Sequence, residues 1–179
     1  MGNELFWWFP GCAVGCVVGT IAHKAGHLLC AMIGSIPIDH VVIGSGPVLM
    51  RGRIWGLRVQ LRQLPIGGLV MPAPFAKIRR FRLAIFFVGG VLGNIAVIGV
   101  VAWLDAAGAA PRVLQNIGGP LVLTQILLIA TNLFPYRTSV DGAPAFSDGL
   151  QLLRLLFGWL TKAAGDLSRV VRPRRAMDR

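Results

Sequence analysis

Two of the chain's three histidines, His23 and His27, lie four residues apart inside an apolar run spanning residues 5–33. On a helix that spacing puts both imidazoles on one face, where together they can supply two ligands to one tetrahedral zinc ion. In the helical zinc-hydrolase pattern H-E-x-x-H, a glutamate directly after the first histidine takes a proton from the attacking water. Here that position is Lys24. An ammonium group accepts no proton, and at about 6 Å it repels a dication by roughly 5 kcal/mol at an effective dielectric near 20. Loss of a positioned base alone lowers a rate by about 10² to 10⁴-fold. Lys24 could serve as base only if burial kept it neutral. Glu4, the only glutamate, sits at the opposite end of the run, and neither Asp39 nor Asp141 sits one helical position from His23 or His27. The spacing points to a metal, and the proton acceptor is missing.

The elements that must position these residues follow from composition. Of 179 residues, 55% are hydrophobic and 14% charged, with a mean hydropathy of +0.68. That leaves too little polar surface to cover a water-soluble globule, so the chain reads as a membrane protein. The net charge of +11 sits beside apolar runs, where lipid headgroups rather than nucleic acid are the expected anions. Cys12, Cys16 and Cys30 fall in or near the first run and read as small buried hydrophobes, with no disulfide framework.

The first run, 5–33, is long enough to span a bilayer of about 30 Å. Phe6-Trp7-Trp8-Phe9 forms an interfacial aromatic belt, no cleavable leader pattern precedes it, and Gly11, Gly15, Gly19 and Gly26 leave room for close helix neighbours. Residues 37–72 change period. Leu57, Val59 and Leu61 alternate with Arg58, Gln60 and Arg62 between glycine-rich turns, and 40–43 gives a second short strand, predicting a small sheet at the membrane surface. Its edge could pair with itself or with an extended peptide. Residues 83–104 form a second span in which Asn94 is the only strongly polar residue, either helix glue or a site residue. A loop over 105–119 leads to a third, shorter apolar run at 120–134. An irregular stretch with Asp141-Gly142 and Ser147-Asp148-Gly149 precedes a re-entrant or interfacial helix at 150–160. The fold class expected is thus a mainly α membrane protein with about three transmembrane helices and a small membrane-surface β-sheet. Residues 1–161 make the core and 162–179 a basic tail. Basic residues at 51–82 and in the tail place both on the cytoplasmic side, with the N-terminus outside.

Taken in order, four segments resemble the site-2 protease family of intramembrane zinc metallopeptidases. Residues 19–29 resemble its metal-binding helix. Ile43-Gly44-Ser45-Gly46-Pro47 and Leu64-Pro65-Ile66-Gly67-Gly68 resemble its membrane-associated sheet. Residues 89–94 resemble its Gly-Pro-x-x-Asn segment, with Val91 in place of proline, and Asn132-Leu133-Phe134-Pro135 with Ser147-Asp148-Gly149 resembles its N-L-x-P…D-G stretch. The match spans roughly residues 15 to 158. It implies His23, His27 and Asp148 as metal ligands, with Asp141 the competing third ligand, Asn94 near the scissile backbone or the metal site, and Lys24 where the family has its catalytic glutamate. The implied cofactor is zinc if the site is intact, and otherwise none.

Two functions follow from the resemblance and its break. One is a catalytically silent subunit that holds a transmembrane helix of a partner in a membrane complex, with Lys24 paired to Asp148 in place of metal. The alternative is an intramembrane zinc metalloprotease cleaving a transmembrane substrate, present in an inactive Glu-to-Lys form. The implied location is the bacterial cytoplasmic membrane. Carrier or channel function lacks the repeated broken helices it would need.

Overall fold

The computed structural model describes residues 2–73, 78–140 and 143–157. Asp141, residues 158–160 of the expected last helix and the tail at 162–179 lie outside the described residues. Three helices are long and apolar enough to cross a membrane, within α1 (Gly2–Ile33), α2 (Arg80–Ala106) and α3 (Arg112–Leu133). Their apolar segments of 28, 27 and 22 residues extend about 42, 40 and 33 Å at 1.5 Å per residue. Large apolar side chains such as Phe9, Met32, Leu92 and Leu127 point outward from the bundle.

Small residues decide how the three helices meet. Gly11, Gly15 and Gly19 recur every four residues on one face of α1, and a Cβ at each would strike Pro120, Thr124 or Gln125 of α3. The fully buried Gln125 then reaches across, its Nε2 donating to the Gly15 carbonyl at 2.9 Å. Gly26 turns the other way. There the α1 backbone lies against the Gly89 carbonyl of α2, and Gly93 lies equally close to the Ala22 carbonyl.

The third helix is longer than the apolar run suggests, because Pro120 sits inside it and not at its start. A proline inside a helix removes one hydrogen bond and needs room for its ring. Gly11 provides that room, so the helix begins at Arg112 and the expected loop at 105–119 contracts to 107–111.

The sheet also exceeds expectation. In place of two short strands, β1 (Ile38–Ile54) and β2 (Leu57–Pro72) form one long antiparallel hairpin. Gly44, Gly46, Gly67 and Gly68, all with φ between 79° and 112°, bend the strands where the sequence reading ends them. The hairpin folds back on itself, so Val41 stands opposite Val70 on one side and Val59 on the other. Along the second side the partner numbers rise together, from His40 with Arg58 to Ile43 with Leu61, so that contact runs parallel. One sheet face closes onto the helices through a core of Ala31, Ile36, Val41, Val70 and Phe86.

The stretch after Pro135, expected to be irregular, contains two short paired strands, β3 (Arg137–Val140) and β4 (Ala143–Phe146). They lead into α4 (Asp148–Leu156), which starts two residues before the helix read from sequence.

Candidate metal centre

Each side chain of the centre is set by a local feature of its element. His23 and His27 occupy successive turns of α1, both 4% exposed, with their ring centroids 4.7 Å apart. His27 Nδ1 lies 2.7 Å from the Phe86 carbonyl of α2, an oxygen that can only accept, so Nδ1 carries the proton and Nε2 presents its lone pair. Asp148 arrives from the far end of the chain as the first residue of α4. Ser147 caps that helix, its Oγ accepting from Leu150 N at 3.2 Å and from Tyr136 N at 3.1 Å. Ser147 N donates in turn to the Tyr136 carbonyl. These bonds tie the helix start to the chain that leaves α3, and Gly149 lies flush on the Leu133 backbone with no space for a Cβ.

The three side chains converge. Asp148 Oδ2 lies 3.0 Å from His23 Nε2 and 3.3 Å from His27 Nε2, and the two nitrogens are 3.1 Å apart. Among the described residues this is the group of histidine and acidic side chains that could hold a metal ion. A tetrahedral ion with donor distances of about 2.0–2.1 Å sets its donors about 3.3 Å apart. The observed edges fit such an ion closely. The polar atoms point the same way. With His27 Nε2 unprotonated, a proton on His23 Nε2 is the one hydrogen that neutral rings can place between the three atoms. Asp148 Oδ2 is buried without an aligned hydrogen bond, and His23 Nδ1 has no partner among the described residues. A cation among the three donors meets the inward lone pairs of both Nε2 atoms and of Oδ2 and leaves His23 Nδ1 to carry that ring's proton, and two imidazoles with one carboxylate suit a divalent transition metal. Gly90 makes the space, since a Cβ there would lie 2.6 Å from both Nε2 atoms.

Beside the triad is a cavity of about 40 Å³ lined by Gly19, Thr20, His23, Lys24, Gly67, Asn94, Leu128 and Asn132. Lys24 therefore lines the same space as His23. The pairing of Lys24 with Asp148 expected from sequence does not form. The ion-pair contacts of that carboxylate are the two imidazoles. Asn94 is 0% exposed, and neither its Oδ1 nor its Nδ2 has a partner among the described residues, so it bonds no neighbouring helix as glue would. The third histidine, His40, lies on the sheet, where its Nδ1 contacts Asp39 at 3.0 Å.

Sequence reasoning misses the Phe86 carbonyl and Ser147, which orient His27 and Asp148, and also Thr20 and Asn132 on the cavity wall. A backbone acceptor has no side-chain signature. Ser147 directly before an acidic first turn is a readable cap signal, and Asn132 stands within a quoted motif. No protein-family model and no curated protein matches the chain.

Proposed function

We propose that the chain is a site-2 protease-like membrane protein, catalytically silent, that acts as a structural or assembly subunit holding a transmembrane helix of a partner. In this proposal α1, α2 and α3 cross the bacterial cytoplasmic membrane, the end of the sheet nearest the close of α1 is toward the cytoplasm and the N-terminus is outside. The observation that carries it is Lys24 on the cavity wall beside His23, where peptide hydrolysis needs a proton acceptor. Zinc, if bound, would be held by His23, His27 and Asp148, and would polarise a carbonyl oxygen as a Lewis acid. Asn94 lines this cavity, and its two amide atoms, buried without a partner among the described residues, could accept from and donate to the backbone of a segment that enters the site. The protein would then bind backbone without a group to start its cleavage.

The compact donor triangle of His23, His27 and Asp148 favours a second reading, an intramembrane zinc metalloprotease inactivated by lysine at the glutamate position. The two differ in whether a stable partner exists. Extracted in mild detergent, the subunit should carry a single-span membrane protein in fixed stoichiometry, and a photoreactive residue at Leu128 should crosslink to that partner's apolar segment. Recovery of the chain alone, without a crosslinked product, contradicts the subunit role.

A further inference from the structure

We propose that the outward face of the hairpin sheet binds the phosphate headgroup of an anionic phospholipid. Arg51 and Arg53 are two residues apart on β1 and so share a face, and the register sets Arg53 opposite Arg58 and Arg51 opposite Gln60, with His40 beside Arg58. These residues line a concavity of about 330 Å³, within the range that takes a small organic ligand rather than a lone ion. Three guanidinium groups meet one carboxylate, Asp39, which is already engaged by His40 and Arg58. Arg51 and Arg53 have no ion pair among the described residues, so their positive charges are available to a phosphate.

Position selects the source of that phosphate. Gly67 lies beside His23, within the first span, whereas the strands begin at Ile38, just beyond the end of α1. The sheet therefore rises from the depth of the triad toward the helix ends, and the Arg53–Arg58–His40 rung lies near the outer end. Arg79, Arg80 and Arg82 stand at the start of α2, at that same end. Next to the arginines, Met50, Ile54 and Trp55 are 62%, 56% and 102% exposed. Basic groups flanked by bare apolar side chains complement a headgroup and its acyl chains, whereas a free phosphate in water would leave the apolar flank uncovered.

The inference rests on the helices crossing a bilayer, which retention in the membrane pellet after alkaline carbonate extraction tests separately. The full chain in detergent would be titrated with phosphatidylglycerol or phosphatidylcholine and bound lipid counted by native mass spectrometry. The chain as written should retain phosphatidylglycerol in preference. Arg51→Gln with Arg53→Gln should weaken that retention about thirtyfold, at roughly 1 kcal/mol per basic group. Arg51→Lys with Arg53→Lys keeps the charge and should stay within about threefold. Equal retention of both lipids, no change in the glutamine pair, or a lysine pair as weak as the glutamine pair would overturn the proposal. Displacement of phosphatidylglycerol by micromolar glycerol 3-phosphate would also overturn it, in favour of a soluble ligand.

Discussion

At the scale of single residues, the charge of Lys24 bears on what the centre can hold. Lys24 lines the same cavity as His23, and a positive charge there is expected to oppose a dication bound by the triad. Lys24→Glu replaces repulsion with attraction and should raise metal affinity by at least about tenfold in a chelator-competition titration. Unchanged or weaker affinity would show that Lys24 does not act on the metal site. A second charge effect lies on the sheet. Burial works against the Asp39 carboxylate, yet hydrogen bonds from His40 and Arg58, together with the guanidinium charge, outweigh it and hold its carboxyl below the ordinary 3.8. A depressed carboxyl contributes stability that is complete above its unfolded value and lost as pH falls through the folded one. Asp39→Asn should therefore lower the thermal midpoint at pH 6, and the gap between the two proteins should close as pH is taken below 3.8. A gap that persists in acid would mean the pair contributes nothing through charge. The histidine pair is readable because helix periodicity is a local property. Asp148 is readable only through the order of separate motifs, and the Phe86 carbonyl, 59 residues from His27, not at all.

At the scale of elements, glycines set the distances on which the centre depends. Gly93 and Gly149 press on backbone, of Ala22 and Leu133 respectively, whereas nothing lies within 4 Å of a Cβ at Gly99 on the same α2. Gly93→Ala should lower stability by about 1–3 kcal/mol through overpacking of α1 against α2. Gly149→Ala should displace Asp148 and cut metal binding while the helical circular dichroism persists. Gly99→Ala should leave the thermal midpoint unchanged or raise it, since alanine favours a helix by up to about 1 kcal/mol over glycine. If all three behave alike, close backbone contact is not what these glycines provide. The same residues explain where element boundaries resist sequence reading. Glycine at 44, 46, 67 and 68 resembles strand ends, but in the folded hairpin positive φ values carry the strands around a bend. Pro120 resembles a helix start, but Gly11 on another helix lets it lie inside. Such marks are ambiguous until the neighbouring element is known. The three long apolar helices need no such context.

At the scale of the whole molecule, the three helices set two ends, with the sheet and the arginines of α2 at one and the 107–111 connection at the other. If basic segments stay in the cytoplasm, a cysteine at Ala109, in a chain with Cys12, Cys16 and Cys30 changed to alanine, should be labelled by an impermeant reagent from outside. Labelling only after the membrane is opened would invert the orientation. The centre itself lies where α1, α2 and α4 meet, a triangle of side chains that could hold a metal ion, beside a cavity lined in part by Lys24. The most direct test of that account is cleavage of a co-expressed single-span substrate, scored together for the chain as written, for Lys24→Glu and for His23→Ala. The account predicts no product from the chain as written or from His23→Ala, and product from Lys24→Glu. Robust product from the chain as written, abolished by His23→Ala, would contradict it.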